Sequence, residues 1–292
     1  MDGKKKTQNM HLRSHKLGTN IKKELLRFIS EDIQSGDITS VLWPKNKIRA
    51  KIISRESGIL AGVKFAGDIF RLKGCNVKII KKDGTKLKPN QIILQVSGNA
   101  RTVLSCERTA LNLLSRMSGI ATHANLLVSK IRKINRKTRL YSTRKTAPGL
   151  RFFDKEAIMI GGGHKHRMSL NDMVMIKDNH LLVSNSMEDI IKKARKQHKD
   201  VEVEVESQRD AILATNSGAT IVMLDNFSPE QIKKTITALQ KKKLRNKVKL
   251  EASGGINSKN IAAFAKTGVD MISVGSITNS VKGLDLSLEV IV

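Results

Sequence analysis

The most informative stretch of the chain is Lys249-Leu250-Glu251-Ala252-Ser253-Gly254-Gly255-Ile256, a short strand that runs directly into a polar, glycine-rich cluster. After Arg139 the sequence repeats this design, with a helical stretch after each cluster. The six predicted strands are Arg139–Ser142, Met173–Ile176, Val201–Val205, Thr220–Leu224, Lys249–Glu251 and Met271–Val274. Functional groups in α/β barrels stand at the C-terminal ends of the strands, so the repeat predicts such a barrel around one site. An open doubly wound sheet places ligands at the same ends, and the pattern leaves that alternative open.

The half of the chain before Arg139 follows a different pattern. Residues 21–33 carry apolar positions at helical spacing, and short β-rich runs separated by turns follow between Ile48 and Val96. A long helical region is predicted from Thr102 to Ile134, with an interruption near Gly119. These elements predict a sheet accompanied by helices.

Composition argues against several classes of protein. The chain has 292 residues, 39% of them hydrophobic, and no apolar run approaches the roughly 20 residues that a membrane helix requires. Met1–Asn20 is basic but has no apolar core, so we interpret it as a disordered basic extension and not as a secretory signal. The two cysteines, Cys75 and Cys106, are too few for a disulfide framework and lack metal-ligand spacing. We therefore expect a cytoplasmic protein.

The net charge of +28 raises the alternative of a nucleic-acid partner, because lysine and arginine bind phosphates through counterion release. Much of this charge lies in helical stretches such as Ile190–Lys199 and Ile232–Lys247, where lysines alternate with apolar residues as on solvated faces. One Trp, one Tyr and seven Phe offer few platforms for stacking bases. We expect no specific nucleic-acid partner and no membrane partner, and interpret the charge as solvation or steering of anionic ligands.

Cations and glycines are concentrated between Thr143 and His180, and the segment includes the run Gly161-Gly162-Gly163. Glycines let a backbone approach a ligand closely, arginine forks suit carboxylates or phosphates, and lysines act as point charges. The candidates for binding a multiply charged anion are Arg144, Lys145, His166, Arg167 and Lys177. We interpret the neighbouring His164 and Lys165 as ordinary surface residues.

Two carboxylates, Glu204 and Asp225, lie at successive predicted strand ends. In a cationic site such groups hold ribose hydroxyls or bind Mg²⁺ through water, although salt bridges to nearby lysines are the alternative. Glu202 and Glu206 share the face of Glu204 by strand alternation, so the pattern alone does not choose among the three.

Two glycine-containing turns follow consecutive predicted strands. Ser253-Gly254-Gly255 and Gly275-Ser276 are typical of loops whose backbone N–H groups point at a phosphate. Ordinary strand-to-helix turns also use glycine, so the signal comes from the coincidence of the two loops.

Ordered motifs along the chain carry a family resemblance. They include Ser35-Gly36-Asp37-Ile38-Thr39, Glu107-Arg108-Thr109, Thr143-Arg144-Lys145-Thr146, His166-Arg167-Met168, Ile176-Lys177-Asp178-Asn179-His180, Leu224-Asp225-Asn226-Phe227 and Glu251-Ala252-Ser253-Gly254-Gly255-Ile256. Through them the chain resembles the quinolinate phosphoribosyltransferase family from Leu25 to Val292. The resemblance implies a type II phosphoribosyltransferase fold: an N-terminal α/β sandwich domain over 21–115, joined by the tail 277–292, and an incomplete α/β barrel over 116–276.

The same resemblance implies a reaction in NAD biosynthesis. Quinolinate and phosphoribosyl pyrophosphate would give nicotinate mononucleotide, pyrophosphate and CO₂ in the presence of Mg²⁺. The residues that it assigns to substrate binding are Arg108, Thr143, Arg144, Lys145, His166, Arg167, Lys177, Glu204, Asp225, Ser253, Gly254, Gly255, Gly275 and Ser276. Lys145, Lys177, Glu204 and Asp225 would be catalytic, and the two carboxylates would reach Mg²⁺ through water.

The resemblance also implies a homodimer or a higher homo-oligomer with a shared active site. Arg108 would come from the neighbouring subunit and would join Arg144, His166 and Arg167 in binding the two carboxylates of quinolinate. A related protein that acts on a different acid would carry much the same residues, so the identity of the acid stays open at this point.

Overall fold

A computed structural model describes residues 20–184 and 186–291 of the chain. The chain divides into two compact units, one ending at Gly119 and resuming at Gly283, the other comprising Ile120–Lys282. The predicted basic extension, residues 1–20, lies outside the described residues except for Asn20. No helix in the described ranges combines the length and the apolar composition needed to cross a membrane.

The first unit is built on a four-stranded antiparallel sheet in the order β12-β1-β5-β3. Its strands are β1 (Lys47–Ser54), β3 (Asn76–Ile79), β5 (Ile92–Asn99) and β12 (Leu286–Ile291), and β2 (Gly58–Ile59) pairs separately with β4 (Lys86–Leu87). Helix α1 covers residues 20–33, a short 3₁₀ helix covers Ser40–Leu42, and α2 covers Val63–Leu72. Ala50 and Ile52 of β1 are fully buried, as are Ile69 and Phe70 of α2. These side chains belong to the hydrophobic core of the unit.

A single long helix, α3 (Ala100–Ile134), follows β5 and continues past Gly119. The predicted interruption near Gly119 is therefore wrong. Met117 and Ile120, on either side of the glycine, are buried, and the Ser118 hydroxyl accepts a hydrogen bond from the Ala61 N–H at 3.1 Å. Burial of this stripe outweighs the cost of about 1 kcal/mol that an interior glycine imposes on a helix.

The second unit contains a six-stranded parallel sheet in the order β6-β11-β10-β9-β8-β7. Its strands are β6 (Arg139–Tyr141), β7 (Val174–Ile176), β8 (Val201–Val205), β9 (Ile221–Asp225), β10 (Lys249–Ser253) and β11 (Met271–Ser273). Its helices are α4 (Arg151–Ile160), α5 (Asp178–Leu182), α6 (Met187–Gln197), α7 (Gln208–Asn216), α8 (Pro229–Lys241), α9 (Ile261–Ala265) and α10 (Ser276–Asn279). A second 3₁₀ helix covers Arg245–Lys247.

The strand order decides between the two architectures that the sequence left open. From β7 to β11 each strand pairs with its successor, and β11 pairs with β6, the first strand of the series. A doubly wound sheet would instead begin near its centre and extend in both directions. The second unit is therefore an α/β barrel that is open between β6 and β7.

Parallel pairing brings functional side chains to a common level at the C-terminal strand ends. Asp225 of β9 pairs in register with Ser253 of β10. Glu202 of β8 pairs with Met175 of β7 and with Ile221 of β9, which sets it further back along the strand than Glu204. Polar side chains therefore lie at two levels of the sheet: one at the strand ends, with Asp225 and Ser253, and one deeper along the strands, with Glu202.

Candidate active site

A cavity of about 390 Å³ lies in the second unit at the C-terminal ends of the strands. It is lined by Ser142, Thr143, Arg144, Lys145, His166, Arg167, Met175, Lys177, Glu204, Met223, Asp225, Glu251, Ser253 and Ser273. Nine of these residues are among those assigned to substrate binding from the sequence. The α/β repeat therefore brings cations and carboxylates from separate loops to one site.

Two arginines occupy one part of this cavity. Arg167 donates from Nη1 to the Met173 carbonyl at 3.3 Å and from Nη2 to the Met175 sulfur at 2.9 Å. Burial, followed by the positive charge of Arg144, lowers the pKa of the Arg167 guanidinium. The buried Nε of Arg144 has no hydrogen-bond partner among the described residues. Two nearby cations with unused donor capacity form a ready binding place for an anion.

Lys145 is held by its main chain while its side chain faces the cavity. Its N–H donates to Thr143 Oγ1 at 3.1 Å, and its carbonyl accepts the hydroxyl of Thr278 in α10 at 2.8 Å. A Cβ added to Gly275 would lie 3.1 Å from Lys145 Cδ, tighter than ordinary packing. Gly275 therefore leaves room for the Lys145 side chain.

The carboxylates that the sequence singled out lie beside a lysine. Lys177, which follows β7, donates from Nζ to Glu204 Oε2 in β8. Burial, followed by the charge of Glu204, raises the pKa of Asp225, whereas the charges of Lys177 and Lys145 act in the opposite direction. The site thus places two mutually repelling carboxylates next to two cations.

The structure also separates the three glutamates around β8, which strand alternation does not rank and among which the family resemblance selects Glu204. Glu202 is fully buried, Glu204 lines the cavity, and Glu206 is exposed beyond the end of the strand. Only Glu204 therefore combines access to the cavity with a position beside Lys177.

A second buried carboxylate, Glu251 of β10, joins Glu202 around His166. His166 Nε2 lies 3.2 Å from Glu202 Oε2 and 3.3 Å from Glu251 Oε2. Ser273 donates its hydroxyl to Glu251, and the Arg167 N–H donates to His166 Nδ1 at 2.9 Å. Burial alone lowers the pKa of His166, but the two carboxylates outweigh this effect and raise it. Both ring nitrogens of His166 therefore face groups of the chain itself.

This cluster of His166, Glu202 and Glu251 has the donor atoms of a metal site, since they lie within 4.8 Å of one another. A histidine that binds a metal through Nε2 normally donates from Nδ1 to a carbonyl or a carboxylate. Here Nδ1 accepts the Arg167 N–H, while Nε2 lies within ion-pair distance of Glu202 and Glu251 without a hydrogen bond to either among the described residues. The cluster therefore adjoins the cavity, which His166 and Glu251 line, and the Arg167 main chain orients its histidine.

The predicted phosphate loops adjoin the cavity to different extents. Ser253 lines it, whereas Gly254, Gly255, Gly275 and Ser276 are not among its lining residues. Gly254 has a φ of +90°, and a Cβ there would lie 2.2 Å from Asn226 Oδ1. The turn after β10 therefore requires glycine at this position.

Arg108 belongs to α3 in the first unit and is not among the residues that line this cavity. It lines a separate cavity of about 330 Å³ together with Asp37 and Ser105. Asp37 accepts hydrogen bonds from Ser40 and Ser105, and these bonds lower its pKa to about 2. The role assigned to Arg108 through a neighbouring subunit stays a prediction.

His164 and Lys165, interpreted from the sequence as ordinary surface residues, do not line the cavity. The His164 ring stacks on Tyr141 with the ring centroids 5.0 Å apart, and Lys165 forms an ion pair with Glu156. Three residues that do line it, Glu251, Met175 and Ser273, were not among the predicted site residues. The sequence signal for these three residues was their position inside predicted strands, close to the polar strand ends.

The fold and the site together define an enzyme of the incomplete α/β barrel class that binds a strongly anionic substrate. Comparison with models of known protein families supports this class and identifies the family within it. The model described as the quinolinate phosphoribosyl transferase N-terminal domain matches residues 37–118, and the corresponding C-terminal domain model matches residues 120–289. The chain belongs to the quinolinate phosphoribosyl transferase family.

Individual relatives agree with this assignment. A probable carboxylating nicotinate-nucleotide pyrophosphorylase of Archaeoglobus fulgidus is 44% identical over 88% of this chain and 98% of its own length. The carboxylating nicotinate-nucleotide pyrophosphorylase of Homo sapiens is 36% identical over 90% of this chain and 89% of its own length. The solved structure of the Francisella tularensis nicotinate-nucleotide pyrophosphorylase superposes with a TM-score of 0.86 at 40% identity, covering 93% of this chain and 96% of that chain. The similarity thus covers both units.

Proposed function

We propose that this chain is a carboxylating nicotinate-nucleotide pyrophosphorylase of NAD biosynthesis, which converts quinolinate and phosphoribosyl pyrophosphate to nicotinate mononucleotide, pyrophosphate and CO₂. The observation that carries the proposal is the composition of the cavity. Arg144 and Arg167 form a cationic wall, while Lys145 and Lys177 stand beside Glu204 and Asp225. One wall suits a dicarboxylate, and the other suits a ribose that carries pyrophosphate.

The chemistry begins with displacement at the ribose. The ring nitrogen of quinolinate donates its lone pair to the anomeric carbon, and the bond from that carbon to the pyrophosphate oxygen breaks. The electrons of the broken bond leave with pyrophosphate. Lys145, whose main chain is fixed on both sides, would stabilise this departing charge from a preorganised position.

Decarboxylation follows from the positive charge that alkylation places on the ring nitrogen. The bond between the adjacent ring carbon and its carboxylate breaks, CO₂ leaves, and the electron pair remaining on carbon takes up a proton. Arg144 and Arg167 hold the ring by its carboxylates. No proton is removed in this step, and water supplies the one that the carbon takes up, so the step requires no strong base from the protein. Catalysis then depends mainly on positioning and electrostatics.

Mg²⁺ fits the donor set at the ribose side of the cavity. Carboxylate oxygens are preferred ligands of Mg²⁺, which usually keeps several of its waters. Asp225 and Glu204 repel each other strongly enough that Glu204 contributes to the raised pKa of Asp225. A divalent cation held by both, directly or through water, would remove this repulsion, and when bound it would neutralise charge on the pyrophosphate.

The proposed enzyme works as a homodimer or a higher homo-oligomer in which Arg108 reaches the active site of a neighbouring subunit. What supports this is the location of Arg108 in the first unit, outside the lining of the cavity in the second unit. A cytoplasmic location is also part of the proposal. It is supported by Cys75 and Cys106, which are both buried as free thiols.

The proposed reaction has a direct test. Purified protein supplied with quinolinate, phosphoribosyl pyrophosphate and Mg²⁺ is expected to release one CO₂ for each nicotinate mononucleotide formed, measured with carboxyl-labelled quinolinate and by chromatography. Nicotinate, which lacks the carboxylate next to the ring nitrogen, serves as the control substrate and should give no product. Turnover of nicotinate with none of quinolinate would assign the chain to a different phosphoribosyltransferase activity.

The Mg²⁺ site makes a second prediction. Glu204→Gln is expected to raise the Mg²⁺ concentration for half-maximal activity by about tenfold, because a neutral amide binds a hard cation less strongly than a carboxylate. Binding of Mn²⁺, followed by its electron paramagnetic resonance signal, should weaken in parallel without any turnover. The matched control is Glu230→Gln, since Glu230 is exposed on α8 and does not line the cavity. Equal Mn²⁺ affinity in the two variants would remove Glu204 from the metal site.

A further inference from the structure

Helix α4 carries a fully buried lysine that no step of the proposed reaction uses. Lys155 Nζ donates to the main-chain carbonyls of Lys165 and Arg167, the latter at 2.6 Å. These two carbonyls flank His166, so a single ammonium contacts the backbone on both sides of one cavity residue. Ser142 also donates its hydroxyl to the Lys165 carbonyl.

The backbone at His166 needs such support. His166 has a φ of +52°, in the left-handed region that non-glycine residues adopt only at a cost. The same turn places Arg167 with its guanidinium in the cavity, where it contacts Met173 and Met175. Release of the turn would let His166 return to a commoner conformation and would move Arg167 away from the Arg144 side of the cavity.

A neighbouring residue of the same helix supports the adjacent loops. Arg151 lies four residues before Lys155 and therefore on the same face of α4. It donates from Nε to Thr146 Oγ1 at 3.1 Å and from Nη1 to the Met168 carbonyl at 3.1 Å. One face of α4 thus contacts the loop that carries Arg144 and Lys145 and the loop that carries Arg167.

Burial of the Lys155 ammonium is energetically unfavourable. Removing an ammonium from water carries a large desolvation penalty, and its two acceptors here are carbonyls and not carboxylates. Burial, followed by the charge of Arg151, lowers the pKa of Lys155 to about 8, which shows that the environment disfavours its charge. An apolar side chain would fill the same volume without this cost, so the ammonium is expected to serve a purpose other than stability.

We propose that Lys155 is a positioning residue for substrate recognition: its ammonium fixes the backbone on both sides of His166 and thereby holds Arg167 in the dicarboxylate part of the cavity. The assignment rests on the proposed function for the identity of the acid, but the positioning of the turn does not depend on it.

The test compares Lys155→Met with the matched control Lys165→Met. Lys165 lies on the same turn, and its side chain pairs with Glu156 away from the cavity. Lys155→Met is expected to raise KM for quinolinate by about tenfold, the usual effect of losing hydrogen bonds to a charged group. KM for phosphoribosyl pyrophosphate should stay within about threefold of the wild-type value. Lys165→Met should change neither constant by more than about threefold, as is usual for surface substitutions.

A double-mutant cycle with Arg167→Ala separates positioning from general destabilisation. If Lys155 acts through Arg167, Lys155→Met should add less than about twofold to KM for quinolinate once Arg167 is alanine, since coupled residues are non-additive. Additive effects, or equal increases in both Michaelis constants, would overturn the proposal. If Lys155→Met fails to fold, Lys155→Gln replaces it in the double-mutant cycle, because glutamine keeps an N–H donor. The same changes in the two Michaelis constants then decide the outcome.

Hydrogen exchange gives a readout that is independent of the substrate. The amides of residues 164–168 are expected to exchange faster in Lys155→Met than in wild type and in Lys165→Met, while the amides of β9 and β10 are unchanged. If the amides exchange faster in Lys155→Met but the wild-type protein does not turn over quinolinate, the positioning role stands and the proposed reaction is refuted. Unchanged exchange in an enzyme that does turn over quinolinate would refute the positioning role alone.

Discussion

Replacing Lys145 with methionine is expected to lower kcat by about 10²–10³-fold, the usual effect of removing one preorganised group that stabilises transition-state charge. Methionine keeps the length of the side chain and removes the ammonium, which faces the cavity from a main chain fixed by Thr143 and Thr278. The contribution of Lys145 grows as pyrophosphate leaves, so kcat should fall much more than the affinity for quinolinate. Steady-state kinetics with each substrate varied in turn separates the two constants.

The control for this prediction is Lys193→Met, an identical exchange at an exposed position of α6. Its kinetics should match those of the wild type, because the residue contributes only to the general positive charge of the surface. An increase in KM for phosphoribosyl pyrophosphate with kcat unchanged would show that Lys145 binds the ground state and not the departing pyrophosphate.

Replacing Arg167 with alanine is expected to raise KM for quinolinate by about 10²-fold, near the upper end of what a hydrogen bond to a charged group contributes. Arg167 is held by Met173 and Met175 with its guanidinium in the cavity, so little conformational entropy is lost when a carboxylate binds. KM for phosphoribosyl pyrophosphate should change little, because the lysines and carboxylates of the other wall remain. Calorimetric titration with quinolinate measures the loss of affinity without turnover.

Arg209→Ala serves as the matched control, since Arg209 is exposed on α7. The thermal midpoint of Arg167→Ala should lie within a few degrees of that of the wild type, because removal of Arg167 relieves repulsion with Arg144 and opens no apolar cavity. Quinolinate affinity equal to that of Arg209→Ala would remove Arg167 from the acid-binding wall.

Much of the site could be predicted from the sequence because its residues follow strand ends. Lys177 and Asp225 stand directly after or at the end of an apolar run, and Arg144 follows the predicted strand 139–142 by two residues. Such positions meet at one edge in any parallel α/β arrangement. Their chemistry then indicated an anionic substrate. The family resemblance added the particular acid and the division of the cations between its carboxylates and pyrophosphate.

Other features could not be predicted because they depend on long-range packing. Gly119 was expected to interrupt α3, but the buried stripe that includes Met117 and Ile120 keeps the helix continuous. Lys155 lies in a helix of mixed charged and apolar residues, where an ordinary lysine is solvated. Its contact with the carbonyls on both sides of His166 depends on how α4 packs on a turn ten residues later, which local patterns do not encode.

By itself the sequence determined the parallel α/β repeat, the cationic character of the site and the residue types at the strand ends, because each depends on local periodicity and side-chain chemistry. Only the tertiary structure decided that the barrel is open between β6 and β7, that Glu202 is buried deeper along the strand than Glu204, and that His166 lies beside Glu202 and Glu251. Strand order and the depth of a side chain in a sheet are set by pairing between distant segments. The sequence of a single strand therefore does not reveal which strands it pairs with or how deep its side chains lie.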